Sequence, residues 1–205
     1  MEFLIVIAAI IFSVIVHEVM HGWVAEKLGD PTARVLGRIT LNPIPHIDPI
    51  GTILVPLIFI LPALLTGASP GAFIAWAKPV PVNPVYFKDG KKDMALVALA
   101  GPLSNFAIAL LFIALYHVIG GNMIVLQIII MNLYLGVFNL VPIPPLDGSK
   151  VVGIFLSDEQ AYRYQSMGQF GMVILLMLLF FPIGGFSLGG LLYNVVLSIL
   201  SVMGI

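Results

Sequence analysis

The sequence contains no cysteine, which excludes disulfide bonds and thiolate metal ligands. Any metal site in this chain therefore depends on histidine and carboxylate side chains. Charged residues are also scarce: Asp, Glu, Lys and Arg make up 9% of the 205 residues, against about 25% in a typical soluble domain. The formal net charge is -1. Since neither sign of charge is in excess, the composition does not indicate a nucleic-acid partner.

Apolar residues are abundant instead, with 60% hydrophobic side chains and a mean hydropathy of +1.11. This composition predicts an all-α, polytopic protein of the lipid bilayer with about five to six transmembrane helices. Long apolar runs cover residues 3–27, 94–117, 122–145, 168–185 and 187–204. The first run lacks the basic start of a signal peptide and contains the candidate site described below. We therefore predict that it is retained as a span.

Two stretches between these runs are harder to assign. Residues 50–77 are apolar but broken by prolines, including Pro56 and Pro62. Since irregular backbone at membrane depth must be covered by protein or water, we expect a hairpin or re-entrant element that lines a cavity. Residues 32–41 mix β-branched and polar side chains, which is equally typical of a short edge strand at the membrane surface and of a surface loop. An edge strand there could pair with an extended peptide.

Lysine and arginine are concentrated in residues 27–38, 78–92 and 150–163, and none occurs in the turns near 118–122 and 184–190. By the positive-inside rule, the three basic segments are cytoplasmic. This orientation places the N-terminus outside and the C-terminus inside. It also requires the 50–77 stretch to leave and return on the same side.

An H-E-x-x-H motif runs from His17 to His21 inside the first apolar run. Helical residues four apart project from one face about one turn from each other, so the two imidazoles can share one metal ion. Glu18 lies roughly 60° around the helix from His21. Its carboxylate can reach a water molecule at the metal there without being a ligand. This is the general-base arrangement of a zinc peptidase.

The alternative interpretation of this motif is a chance match or a purely structural polar cluster. Each ionisable group in a lipid-facing helix costs at least about a few kcal/mol, so something has to compensate for three of them, and a metal ion does so directly. The motif lies about 9 to 15 Å along the helix axis from the helix end near Lys27. We therefore expect a metal site within the membrane that is reached through a water-filled cavity.

The best candidate for a third ligand is Asp147, which follows a long apolar run and three prolines, Pro142, Pro144 and Pro145. Prolines break a helix, and Gly148 allows a sharp turn directly after the carboxylate. Taken alone, an Asp-Gly pair after prolines is typical of a surface turn. Its combination with the histidine motif favours a ligand, because a catalytic zinc normally has three protein ligands and one open position.

Three motifs together resemble the site-2 protease family of intramembrane zinc metalloproteases. The first covers His17 to Asp30, the second is Gly-Pro-x-x-Asn within residues 100–105, and the third runs from Asn139 to Gly148. The resemblance extends over most of residues 5–150. It implies that His17, His21 and Asp147 bind one zinc ion, and that Glu18 activates the water that cleaves a transmembrane peptide.

The resemblance also implies a minimal form of this family, without an inserted PDZ-like or an appended CBS-like domain. We expect residues 1–205 to form one membrane-embedded peptidase domain, with a catalytic core at about 3–150 and a C-terminal helical pair at about 168–204. The small size favours a prokaryotic inner membrane by the same resemblance, with the active site nearer the cytoplasmic face. Transmembrane proteins are the implied substrates, and the oligomeric state stays open.

Four further polar residues have two interpretations each. We favour a site role for Asn105, as a donor to the oxyanion or to the substrate strand, although buried asparagines also link helices. Asn139 either orients a substrate or stabilises the proline break. His46 and Asp48 either support the metal site or form hydrogen bonds within their own loop, and we favour the loop.

Two other functions remain open at this point. A noncatalytic membrane protein could hold client helices on the same fold, and a transporter could carry a metal ion or protons on its intramembrane histidines and aspartate. The presence of Glu18 together with three candidate ligands favours the enzyme.

Overall fold

The computed structural model describes residues 2–66, 76–182, 184–185 and 187–205. In that part of the chain every regular element is helical, which confirms the all-α prediction there. The α-helices are α1 (Glu2–Lys27), α2 (Thr32–Val35), α3 (Val55–Thr66), α4 (Gly90–Val118), α5 (Met123–Asn139), α6 (Asp147–Val152), α7 (Asp158–Ser166), α8 (Gly168–Phe180) and α9 (Leu188–Val202). Short 3₁₀ turns cover Ile44–His46, Pro84–Tyr86 and Gly153–Phe155, and a π-helical turn, Pro49–Leu54, leads into α3.

Two helices, Leu4–Lys27 and Gly90–Val118, are long and apolar enough to cross a membrane. At 1.5 Å per residue they extend about 36 and 44 Å, which exceeds the roughly 30 Å hydrocarbon core of a bilayer. The shorter apolar helices include Met123–Asn139, Phe170–Leu179 and Leu188–Val202. The total number of spans stays a prediction.

The predicted run over 122–145 is too long, because α5 ends at Asn139. Proline lacks an N–H and clashes with the preceding helical turn, so the helix stops before Pro142. The polar stretch that follows contains the two short helices α6 and α7. A capping box starts α7, with Ser157 and Gln160 each bonding the other's backbone amide.

The alternative of an edge strand over residues 32–41 is wrong, because Thr32–Val35 forms the helix α2. Just before this helix, the Asp30 carboxylate accepts a hydrogen bond from the Thr32 amide at 3.0 Å, and the N-cap residue Pro31 has a φ of -80°, close to the helical value. Ala33 is then completely buried.

The stretch 50–77 is described only in part, because residues 67–75 lie outside the described residues. Whether this stretch crosses the membrane or re-enters it therefore stays a prediction.

The preference for loop roles of His46 and Asp48 is confirmed. His46 Nε2 lies 2.9 Å from the Thr40 carbonyl oxygen, and the Asp48 carboxylate caps the following turn by accepting from two of its amides.

The central helix is α4, which packs against α1, α5 and α6. The larger apolar core joins α4, α5 and α9 through Ala109, Ile113, Val125, Ile129, Leu133, Val196 and Leu200. A second core joins the chain before α6 to α8 and α9 through Leu146, Leu175, Leu188 and Leu192. These two cores fix α4 relative to α5, and the start of α6 relative to the C-terminal helical pair.

Residues 76–83 have no regular secondary structure and cross the molecule close to α1. Hydrogen bonds hold this 76–83 segment at several points. The Lys78 amide donates to the His46 carbonyl at 2.9 Å, and the Arg38 guanidinium donates to the Lys78 carbonyl at 2.7 Å. The Asn83 amide donates to Asp30 at 2.7 Å, just after the end of α1. The segment is thereby tied to the stretch of chain that follows the helix with the histidine motif.

Candidate metal centre

His17, His21 and Asp147 converge at one point between α1 and the start of α6. The Nε2 atoms of both histidines lie 3.2 Å from Asp147 Oδ2, and the two rings are 4.7 Å apart between centroids. All three residues are buried, with exposed fractions of 7%, 8% and 6% for the whole residues. Within the described residues they form a group whose ligand atoms lie within 4.8 Å of one another, so that one metal ion could bind all three.

Gly101 provides the space at this point. A Cβ atom added there would lie 2.5 Å from the Nε2 atoms of both His17 and His21. Any side chain on this turn of α4 would therefore occupy the volume between the ligand atoms. Two imidazole nitrogens, one carboxylate oxygen and a space kept open by glycine are a donor set that suits zinc.

The second nitrogen of each imidazole is held by an acceptor. His17 Nδ1 lies 2.6 Å from Asn105 Oδ1, and His21 Nδ1 lies 2.7 Å from the Val97 carbonyl oxygen. A carbonyl can only accept, so the His21 Nδ1–H donates. The side-chain oxygen of Asn105 also only accepts, so the His17 proton is on Nδ1 as well. Both Nε2 atoms consequently keep their lone pairs for a metal ion.

Asn105 and Asn132 form a buried chain of side-chain amide hydrogen bonds, the amide chain, which links α4 to α5 and reaches His17 on α1. Asn105 Nδ2 donates to Asn132 Oδ1 at 3.2 Å, and Asn132 Nδ2 donates to the Ile128 carbonyl at 2.9 Å. The exposed fractions of the two asparagines are 0% and 1%. Both ends of the Asn105 amide are thus engaged away from solvent, which favours helix linkage and orientation of His17 over a contact with substrate. Sequence reasoning missed Asn132, whose signal was a single amide in an apolar run.

Glu18 is held by the 76–83 segment. Its Oε2 accepts a hydrogen bond from the Val80 amide at 2.8 Å. Val80 lies between Pro79 and Pro81, which have no N–H, so it carries the one amide donor of these three residues. This contact turns the carboxylate towards the cavity that the histidines also line.

Asp147 reaches the histidines because of the break after α5. The chain turns after Leu140 and Asp147 becomes the first residue of α6. A Cβ atom at Gly148 would lie 2.2 Å from the Leu140 carbonyl oxygen, so this turn requires glycine. The second carboxylate oxygen, Oδ1, lies 3.0 Å from Lys150 Nζ.

A cavity of about 550 Å³ opens beside these groups. Its lining includes His17, Glu18, His21 and Asp147, and it is otherwise mainly apolar. Asn139 also lines it, while its Nδ2 donates to the Leu135 carbonyl at 2.9 Å. One wall comes from α8, which contributes Met172, Leu175, Leu176 and Leu179. The cavity volume is in the range that binds small ligands or a few side chains.

A model of peptidase family M50 matches residues 5–128 and 117–180 of the chain. The protein named "Putative zinc metalloprotease YwhC" of Bacillus subtilis (strain 168) is 34% identical over 195 aligned positions, which cover 89% of this chain and 83% of that protein. "Putative zinc metalloprotease Rip2" of Mycobacterium tuberculosis (strain ATCC 25618 / H37Rv) is 30% identical, with 99% of this chain and 75% of that protein covered.

An archaeal protein, "Putative zinc metalloprotease MJ0611" of Methanocaldococcus jannaschii, is 34% identical over 159 aligned positions, which cover 73% of this chain and 70% of that protein. No solved structure matches the chain. The family match covers most of the sequence and agrees with the donor set between α1 and α6. The chain therefore belongs to peptidase family M50, the site-2 protease family, and is a zinc metalloprotease of the membrane.

Proposed function

We propose that the chain is an intramembrane endopeptidase that hydrolyses peptide bonds in or near transmembrane segments of membrane proteins. In this proposal His17, His21 and Asp147 are the zinc ligands and Glu18 is the general base. The observation that carries it is the convergence of these four side chains on one cavity among apolar helices. The whole chain acts as one peptidase domain, in which α8 of the C-terminal helical pair lines the cavity and the core of residues 3–150 carries the chemistry.

The zinc ion, when bound, polarises the scissile carbonyl and lowers the pKa of a water molecule towards 7. Glu18 takes the proton from the attacking water and later gives it to the leaving amine. The Val80 amide donates to Glu18 Oε2 and so holds this carboxylate at the wall of the cavity. Asn105 and the Val97 carbonyl hold the two imidazoles in the tautomer that binds metal.

A transmembrane substrate has to unwind before this chemistry. Amides within a helix are already hydrogen-bonded, so an intact helix does not offer its carbonyl carbon to a nucleophile in a buried cavity. Helix-breaking residues near the cut site lower the free energy of unwinding. We therefore expect faster cleavage of substrates with Gly, Pro or Asn there.

We place the site nearer the cytoplasmic face of a prokaryotic inner membrane. Contacts between the three basic segments support this orientation. Asp30 binds the Asn83 amide at 2.7 Å, and Lys91 Nζ donates to the Leu156 carbonyl at 2.8 Å. The segments 27–38, 78–92 and 150–163 therefore meet at one end of the molecule. A cluster of Lys and Arg at one end is typical of the cytoplasmic side.

The test is cleavage of labelled single-span proteins by the purified, zinc-loaded protein in detergent, with Glu18→Gln as the comparison. We expect a discrete cut by the wild type and a loss of at least about 100-fold with the variant, because proton transfer by a general base contributes about that much. Glu26→Gln is the matched control. It changes a carboxylate on the same helix that pairs with Arg34 outside the cavity, and it keeps wild-type cleavage.

The outcome also separates the other two functions. Equal cleavage by wild type and Glu18→Gln removes Glu18 from the mechanism. Binding of single-span proteins without any cut, unchanged by Glu18→Gln, indicates a noncatalytic client-binding protein. Metal-dependent flux into proteoliposomes without proteolysis indicates a transporter.

A further inference from the structure

The two carboxylate oxygens of Asp147 have different partners. Oδ2 lies 3.2 Å from the Nε2 atoms of His17 and His21, whereas Oδ1 lies 3.0 Å from Lys150 Nζ. A carboxylate can bind a metal ion through one oxygen or through both. A cation that holds one of the two oxygens therefore influences how many donors the aspartate supplies.

Lys150 is well placed to hold Oδ1. It lies three residues after Asp147 on α6, so the two side chains share one face of the helix. The side chain of Asp147 is 9% exposed and that of Lys150 is 34% exposed. Because the Asp147 carboxylate is buried, removing Lys150 would take away a charge partner that water replaces poorly.

Neighbouring charges leave this pairing intact. Lys150 borders the site cavity and also a second cavity of about 540 Å³, whose lining includes Lys91 and Asp158. Asp158 Oδ1 is already 2.8 Å from Lys91 Nζ, and Lys91 also donates to the Leu156 carbonyl. Within the described residues, Asp147 is the carboxylate at ion-pair distance from Lys150.

We propose that Lys150 is a positioning residue of the zinc site: it holds Oδ1 of Asp147, so that the aspartate supplies Oδ2 alone. This inference rests on the proposed function, in which Asp147 is a ligand. Two nitrogens and one oxygen make three protein donors and leave one position open for water and substrate, as catalytic zinc sites require. If both oxygens bound, Oδ1 would be a fifth donor beside that position and would restrict the access of substrate to it.

The test uses Lys150→Met, which keeps an unbranched side chain but removes the charge, and Lys150→Arg, which keeps the charge. Both variants and the wild type are loaded with Co²⁺ in place of zinc, because the visible absorption of Co²⁺ weakens when a fifth donor joins a four-coordinate site. We expect weaker absorption in Lys150→Met and a kcat about 10- to 100-fold lower with little change in KM. Lys150→Arg should keep most of the wild-type absorption and most of the wild-type kcat.

The matched control is Lys92→Met. Lys92 forms an ion pair with Asp89 at the same i,i+3 spacing, with a distance of 2.8 Å, but at the surface and away from the site. This variant keeps the wild-type spectrum and the wild-type kcat. If Lys150→Met unfolds, which gel filtration and far-UV circular dichroism reveal, Lys150→Gln replaces it and its results are interpreted in the same way.

A Lys150→Met protein with the wild-type cobalt spectrum and wild-type kcat overturns the inference. So does a loss of kcat with an unchanged spectrum, since the lysine would then act in another way. Asp147→Asn serves as the reference for the proposed function. A cobalt spectrum that does not respond to this change removes Asp147 from the ligand set, and the failure then belongs to the proposed function as well.

Discussion

The metal centre has two halves that are built in opposite ways. The helical half consists of α1, α4 and α5, which carry both histidines and the amide chain through Asn105 and Asn132. The irregular half consists of the 76–83 segment, which supplies the Val80 amide, and of residues 140–146, which lead to Asp147 at the start of α6. In the helical half, close packing of regular backbone fixes the side chains. In the irregular half, prolines and single hydrogen bonds do so.

This difference indicates which changes each half tolerates. Helices packed at a glycine contact cannot separate by an ångström without opening the apolar core that joins α4, α5 and α9. The helical half should therefore be sensitive to added volume. The 76–83 segment has no regular secondary structure and is held by single hydrogen bonds, so the irregular half should be sensitive to the loss of one donor. Three predictions test this contrast, in order of expected effect.

Gly101→Ala should have the largest effect, because the added methyl group would lie 2.5 Å from both histidine Nε2 atoms. We expect loss of bound zinc and a fall in cleavage of at least about 100-fold, the loss that a misplacement of about 1 Å produces. Zinc per protein, measured by mass spectrometry, and cleavage of a single-span substrate check this. Gly90→Ala on the same helix has nothing within 4 Å of the added atom and serves as the control. Wild-type zinc content in Gly101→Ala would contradict the role of the helical half.

Val80→Pro tests the irregular half by removing the amide that holds Glu18 Oε2. We expect kcat to fall by about 10-fold or more, since a hydrogen bond to a charged group contributes about 1.5–3 kcal/mol. The zinc content should stay unchanged, because no ligand is touched. Comparison with Val80→Ala separates the amide from the side chain, since alanine keeps the N–H. Equal losses in the two variants would show that the side chain, and not the amide, matters.

Asn132→Ala should have the smallest effect on activity, because the Asn105 contact with His17 remains. The change leaves a buried donor of Asn105 without its partner, which costs about 1–3 kcal/mol of stability. We expect a lower Tm in detergent and a loss of cleavage smaller than that of Val80→Pro. Asn194→Ala on the exposed face of α9 is the control. If the loss of cleavage, converted to free energy, exceeded the loss in the free energy of unfolding, the amide chain would do more than link the helices.

The family, the zinc cofactor and the all-α architecture could be predicted from the sequence because their signals are local. The H-E-x-x-H spacing needs only helical periodicity to bring His17 and His21 to one face. Asp147 was expected beside them because a catalytic zinc ion needs a third protein ligand. The helix break that brings Asp147 there also ends α5 earlier than predicted. The edge strand over residues 32–41 was wrong because the hydrogen bond from the Thr32 amide to Asp30 and the burial of Ala33 outweighed β propensity.

The sequence by itself thus determined which side chains are able to bind metal and on which helix face the histidines lie. Only the tertiary structure decided what holds them. The contacts of His21 with the Val97 carbonyl and of Glu18 with the Val80 amide join residues 76 and 62 positions apart. Backbone groups are the same in every residue, so no sequence pattern marks the ones that orient a ligand. Their placement depends on how α1 packs against α4 and on where the 76–83 segment crosses it.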